Sequence, residues 1–423
     1  MAMVGRLYRD AGMVATATLP FIQIPHGRCV GGTTVVNCGS SFRLPAKYYR
    51  HLDGILDEAA LAPAFAEIER LLEIAPAEPA VMARQNLLLQ RGAEQLGYSG
   101  GPIPRNAPRC RGSGRCNIGC PSGAKLSMEA SFVPWALEKG AELVHGLRAD
   151  RLRPHARGVT VECARGVRVE AELAVVAAGT LHTPLLLRRS RLGGLSRHTG
   201  RNLTIHPSSG ISGELDDPVE LWKGMPQGYY VDHFAADGIL FEGVGMTSDL
   251  AALSVPLAGA AHRAFMARLA HMASIGLMVS DEPVGSVREV LGLLAVSYQV
   301  TPAVLGRMRR AFVEGARMML AAGAAKVHFA IHGFPPVSSV AELERRDFAA
   351  VGPKAIHWNA FHPLGTCRMG RTARDGATGA DGRVFGQERI LVCDGSVFPA
   401  STQVNPQLAI MANALRVARG LLA

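Results

Sequence analysis

The chain has 423 residues, which at about 150 residues per domain suggests two or three compact units, and its 48% hydrophobic against 19% charged content excludes intrinsic disorder. Lys and Arg number 45 against 35 Asp and Glu, a net charge of +10. The densest basic groups, Arg188, Arg189 and Arg191, then Arg307, Arg309 and Arg310, lack interleaved aromatics, so they read as solvated faces and no nucleic-acid partner is expected.

In chain order, Gly27 to Asn37 reads GRCVGGTTVVN, a tight loop where backbone can approach a ligand closely. Residues 50–109 read as a helical insertion, with apolar spacing at Phe65, Ile68, Leu71 and Leu72. The stretch CRGSGRCNIGCPSGAK from Cys110 is loop by composition. Ala171 to Ala178, AELAVVAA, is a short apolar strand; Gly179 turns it, and Thr183-Pro184 opens a helix, giving half of a nucleotide-binding α/β unit. The middle, from His206 to about His357, mixes strand-like pieces (Gly228 to Val231, Ile239 to Val244) with a helical stretch from Ala303 to Ala322, an α+β domain. The best apolar candidate for a membrane span, Ala258 to Val279, is interrupted by His262, Arg263, Arg268 and His271, so no transmembrane segment is expected. Near the end Ile390 to Val392 is a strand tipped by Cys393-Asp394-Gly395. Pro406 opens a last helix with Leu408, Met411, Leu415, Ala418 and Leu422 on one face. Eight cysteines are too dilute for a disulfide scaffold, and with no clear cleavage site near the start the expected location is cytoplasmic.

Four of these stretches, GRCVGGTTVVN, VVAAGTLHTP, HPLGTCRMG (His362 to Gly370) and RVFGQERILVCDGSVFPASTQVNPQLAIMANALRVA, together with GRNLTIHP at Gly200 to Pro207, resemble the glucose-methanol-choline (GMC) family of flavin oxidoreductases, in family order. The resemblance implies an α/β and α+β protein: a Rossmann-like FAD/NAD(P)-binding domain (1–49, 110–205 and 375–423), the helical insertion 50–109, and a GMC-type substrate-binding domain (206–374) containing an antiparallel sheet. It implies non-covalent FAD and oxidation of an alcohol to aldehyde or ketone by an oxidase or a dehydrogenase. His362 is then the base and Asn405 the partner of the developing alkoxide. Gly31, Gly32 and Thr33 cross the pyrophosphate and ring, with Asn37, Cys38 and Gly39 along the ring. Val36 stands where some members carry a covalently linked histidine. Ala178 and Gly179 form the adenosine-side turn, Ala149 contacts adenine, and Asp394 lies near the ribityl and pyrophosphate groups. The helix start at Asn405, Pro406 and Gln407 faces the flavin, where its positive end meets the charge of the reduced ring. Phe361 and a Met- and Leu-rich middle suggest an apolar alcohol.

The family's opening GxGxxG motif does not occur in this sequence. The expectation is therefore an N-terminally incomplete dinucleotide unit and weak FAD binding by this chain alone. Two alternatives follow: a non-catalytic fragment or one half of a split enzyme, and an iron–sulfur electron-relay subunit. The second rests on Cys110, Cys116 and Cys120, whose spacing resembles that of a three-iron cluster in some flavin-dependent sugar dehydrogenases and which would serve an electron acceptor.

Overall fold

The computed structural model describes residues 2–422. A two-residue strand, β1 (Ile22–Gln23), precedes a 3-10 turn at Gly32–Val35. Helix α1 (Glu58–Leu71) begins where the Asp57 side chain accepts the Ala60 N–H, and buries Leu61, Phe65 and Ile68 on one face. Helix α2 (Arg84–Gln95) and strand β2 (Gly100–Pro102) follow. An antiparallel meander of β3 (Ala149–His155), β4 (Gly158–Cys163) and β5 (Arg168–Ala171) leads to β6 (Ala174–Val176), and the chain turns at Gly179 into α3 (Thr183–Arg189). Then come β7 (Pro207–Glu214), β8 (Tyr229–Val231), β9 (Ile239–Val244) and β10 (Met272–Val279). Helix α4 (Pro302–Ala321) is capped by the Thr301 hydroxyl, which accepts the Val304 N–H. Strands β11 (Lys326–Phe329), β12 (Trp358–Ala360), β13 (Arg383–Val384) and β14 (Gln387–Val392) precede the last helix, α5 (Gln407–Leu422).

The strands make two principal sheets. The large one runs β1-β12-β7-β10-β9-β8-β2, with β11 also on β7; it is antiparallel except for the β1–β12 pair. The small one runs β13-β14-β6, its β14–β6 pair parallel, with Ile390 beside Ala174 and Val392 beside Val176. One core lies between the large sheet (Ile211, Phe241, Ile275, Leu277) and helices α2 (Leu88, Leu89) and α4 (Met308, Phe312, Met319). The other joins α1 (Phe65, Ile68), β6 (Val176), β14 (Ile390, Val392) and α5 (Leu408, Ala412). The architecture is thus mixed α/β with an antiparallel sheet, as expected.

The stretch 50–109 does not stand apart. Its helix α1 belongs to the second core and α2 to the first, and β2 extends the large sheet. Likewise Leu364, Cys367 and Met369 pack in the second core although they lie inside 206–374. Among the described residues no helix is long and apolar enough to cross a membrane.

Candidate active site

Antiparallel pairing sets Pro207 of β7 beside Ala360 of β12, so the residues just outside those strand ends, His206 and His362, come together. Their Nδ1 atoms lie 3.2 Å apart and the rings meet edge to face. His206 is fully buried, and its Nε2 accepts the backbone N–H of Gln403 at 3.0 Å. Two residues on, Asn405 brings its Nδ2 to 3.4 Å from His362 Nε2 and 3.5 Å from Glu242 Oε2. Glu242 sits in the middle of β9 and is buried; its Oε2 also faces Gln227 Nε2 at 3.4 Å. Glu242 Oε1 and Asn405 Oδ1 are buried with no hydrogen-bond partner among the described residues. Burial lowers the His362 pKa to about 4 and holds His206 well below its ordinary value, with His362 adding to the effect. Burial raises the Glu242 carboxyl to about 7, against the pull of Asn405 and the Arg105 guanidinium.

Beside this cluster the residues expected to hold flavin are knitted together. Asn37 Nδ2 donates to Gln407 Oε1 at 2.7 Å, and Gln407 Nε2 donates to the Ser40 carbonyl and the Ser41 hydroxyl, both at 2.9 Å. The first turn of α5 is thereby fixed against the loop carrying Cys38 and Gly39. At the tips of the parallel pair, Asp394 Oδ2 accepts the Gly179 N–H at 2.9 Å and the Thr183 hydroxyl, while Oδ1 accepts the Ser396 N–H at 2.8 Å. The Thr180 hydroxyl donates to the Pro363 carbonyl at 2.6 Å and the Thr366 hydroxyl to the Thr180 carbonyl at 2.6 Å, so the turn at Gly179 is fastened to the residues after His362.

These residues fit an elongated flavin nucleotide. A Cβ on Gly32 or on Gly179 would project into open space, and both have positive φ, +58° and +82°. Two bare stretches of backbone therefore flank the site, one before the Asn37 loop and one at the β6 tip, where open α/β sheets take ligands. Gly31 is held in its turn with φ +84°. A Cβ there would meet Glu129 at 2.7 Å. The Thr33 hydroxyl accepts the Gly27 N–H at 3.0 Å, closing that loop. Val36 is buried, Ala149 opens β3 against the second core, and Ala178 donates its N–H to the Thr183 hydroxyl at 3.1 Å. Phe361 is 51% exposed beside His362.

The alternative of a cluster at Cys110, Cys116 and Cys120 finds no support in the structure. The three line one small pocket, yet among the described residues no set of three Cys, His, Asp or Glu could hold a metal ion. Each thiol is turned to a different neighbour. Cys116 Sγ accepts from Arg105 Nη2 at 3.5 Å, Cys120 Sγ faces the Ser122 hydroxyl at 3.5 Å, and Cys110 packs with Ala77, Met82 and Met225. The buried side chains of Arg105 and Lys125 stand in the same pocket. Lys125 donates to the carbonyls of Val35, Asn37 and Cys116, bracing the loop that carries Asn37.

Sequence reasoning missed His206 and Glu242. A signal for the second existed: a single acid inside the apolar strand Ile239 to Val244, buried on both faces.

The chain is similar to other proteins along most of its length. The family model described as GMC oxidoreductase matches residues 4–208 in its N-terminal part and 285–414 in its C-terminal part. An uncharacterised GMC-type oxidoreductase of Mycobacterium tuberculosis is 38% identical over 97% of this chain and 67% of its own length. A long-chain-alcohol oxidase of Arabidopsis thaliana is 28% identical over 96% of this chain and 59% of its own. Among solved structures, pyridoxine 4-oxidase from Mesorbium loti superposes with a TM-score of 0.71 at 20% identity, covering 95% of this chain and 85% of that one. A variant formate oxidase of Aspergillus oryzae, studied for the modification of its FAD, gives 0.72 at 15% identity, covering 96% and 86%.

Proposed function

The chain belongs to the GMC oxidoreductase family, and on that footing we propose that it oxidises the hydroxyl-bearing carbon of an alcohol to a carbonyl, with FAD as the hydride acceptor. The observation that carries this reading is the meeting of His362 Nε2 and Asn405 Nδ2 at 3.4 Å, directly before the helix α5 that is fastened to the Asn37 loop. A hydroxyl bound beside this pair would have both nitrogens within hydrogen-bond reach. Gly31 to Thr33, Asn37 to Gly39 and the start of α5 would hold the flavin ring. Gly179 and the strand tip closed by Asp394 would hold its nucleotide end. The half-exposed Phe361 and the resemblance to a long-chain-alcohol oxidase support an apolar alcohol.

The test is anaerobic mixing of the protein, kept in excess FAD so that its site stays filled, with primary alcohols of increasing chain length, following loss of the flavin's visible absorbance. Reduction that quickens with chain length is expected; a flavin left oxidised by every alcohol would refute the reading.

A second reading concerns how the flavin is held, and the edge of the small sheet favours it. Strand β6 is the last strand on its side, and Val175 on it and Leu173 just before it are exposed while Ala174 and Val176 are buried. A further parallel strand from a polypeptide segment outside these residues, followed by a GxGxxG turn, would extend that sheet and bring the turn to the pyrophosphate. The chain spans about two thirds of the mycobacterial relative's length. On this reading FAD added to the purified chain is mostly lost on desalting; a stoichiometric yellow protein would contradict it.

A further inference from the structure

Another buried carboxylate, Asp281, stands just after β10 and belongs to no motif read from the sequence. It is 7% exposed, and three donors converge on it. Its Oδ2 accepts the Ile205 N–H and the Tyr298 hydroxyl, both at 2.9 Å, and its Oδ1 accepts the His206 N–H at 3.2 Å. Two successive backbone N–H groups aimed at one anion form a nest, the concavity that a turn with a left-handed residue produces. Here the left-handed residue is His206, with φ +50°. Its Cβ makes that conformation unfavourable, so the turn has to be held from outside.

The carboxylate that holds it is mounted rigidly. On one side of Asp281, the Ser280 N–H donates to the Gly238 carbonyl at 2.8 Å and the Ser280 carbonyl accepts from Arg307 Nη1 at 3.1 Å. On the other, Glu282 accepts the Thr301 hydroxyl at 2.6 Å and Arg307 Nη1 at 2.9 Å, at the start of α4. Tyr298 is buried, and its backbone N–H and carbonyl both bond to the Thr18 hydroxyl. From the turn so clamped, the His206 ring extends to Gln403 on one nitrogen and to His362, 3.2 Å away, on the other.

Resting on the alcohol-oxidation reading, we infer that Asp281 is a positioning residue: its carboxylate clamps the left-handed backbone of His206 and so sets where the His206 ring braces His362. It acts through His206 alone. Asp281→Asn is the discriminating change, because an amide of equal size keeps one acceptor oxygen and turns an N–H donor toward the nest. Burial raises Asp281 to about 7 against the pull of its three donors. At pH 8.5 the native side chain is therefore the anion, and the variant replaces it with a neutral group.

Three measurements at that pH, on the full chain kept in excess FAD, test the clamp. With 15N-histidine labelling, the ring-nitrogen signals of His206 and His362 should move in Asp281→Asn while that of the exposed His145 stays. Unmoved signals from a folded variant overturn the inference. The second measurement takes the fall in urea midpoint caused by Asp281→Asn in two backgrounds, the native chain and His206→Gly, since glycine adopts positive φ without strain. A smaller fall in the glycine background is expected; an equal fall would make Asp281 a buried hydrogen-bond partner and nothing more. Should Asp281→Asn fail to fold, a folded double variant supports the clamp and failure of both overturns it. The third is single-turnover flavin reduction, in which Asp281→Asn should lower the limiting rate by about 10²-fold, the scale of a ~1 Å misplacement, with the half-saturating alcohol concentration little changed. A limiting rate equal to that of the native chain overturns the positioning role. A native flavin that no alcohol reduces overturns the function it rests on and leaves the clamp to be decided by the first two measurements.

Discussion

Asp394 accepts three hydrogen bonds through one nearly buried carboxylate: from Gly179, from Thr183 and from Ser396. It therefore sets the spacing of the β6 and β14 tips whatever else it meets. Asp394→Ala would leave three donors inside the fold without an acceptor, and at about 1 kcal/mol per bond the loss should be about 3 kcal/mol. A lower urea midpoint at unchanged slope would show it; an unmoved midpoint would mean that water replaces the carboxylate. Glu242 gives a pH signature of its own. Its pKa rises from 4.5 unfolded to about 7 folded, so its favourable contribution is complete below pH 4.5 and is lost as pH climbs to 7. At 1.36 kcal/mol per unit that is about 3 kcal/mol. Asp281, also raised to about 7, acts in the same direction, while His362, lowered to about 4, loses stability as pH falls from 6.5. Both persist in Glu242→Gln, so the difference between the two stability curves isolates Glu242. Expected is a gain for the variant that grows from pH 4.5 to 7 and is flat above; a constant difference would refute the raised pKa.

The helices α2 and α4 cross at Gly92, where a Cβ would stand 2.1 Å from the Met318 carbonyl oxygen. In an exposed helix Gly→Ala stabilises by about 1 kcal/mol. Here the neighbour is backbone and cannot step aside, and overpacking costs about 1–3 kcal/mol. Gly92→Ala should thus lower the melting temperature, and a raised one would mean that the two helices slide freely. The same crossing shows what a pattern of residues reveals. Periodicity marks α1, α2 and α4 as helices with one buried face, and the strands at 229–231, 239–244 and 390–392 are equally plain, because local spacing determines which side is apolar. It does not tell which sheet that side meets. The α1 face of Phe65 and Ile68 goes to α5 and β14, whereas the α2 face of Leu88 and Leu89 goes to the large sheet, a division invisible in residues 50–109. In the candidate site, His362 and Asn405 were reached through the family resemblance that HPLGTCRMG and the stretch before the last helix carry. Their neighbours His206 and Glu242 were not, because their contacts join residues 156 and 163 positions apart and arise only when the strands pair. The cysteine loop shows the converse: close spacing in sequence made a cluster one alternative, but each of the three thiols has its own neighbour, Arg105, Ser122 or the Met82–Met225 pair.

Across the whole molecule the two sheets manage their edges differently. The large sheet ends in β1, a strand of two residues, and in β2, whose Gly100-Gly101-Pro102 closes on a proline with no N–H to offer a further strand. The small sheet ends at β6, which is parallel to its neighbour and carries Val175 at 53% exposure. An open edge with an apolar side chain invites pairing, while a net charge of +10 keeps copies apart at low salt. Self-association of the isolated chain should therefore increase with salt, as screening removes the repulsion. Val175→Lys should reduce it by placing a charge on the edge. Because added charge alone would also oppose association, the control is Leu291→Lys, at a residue 96% exposed in the turn between 290 and 293. Sedimentation at high salt, where the common charge effect is screened, should show less association for Val175→Lys than for Leu291→Lys, with the melting temperatures of both near that of the parent. Equal association in the two variants would remove the β6 edge as the contact, and with it the support for a strand added there to complete the flavin site.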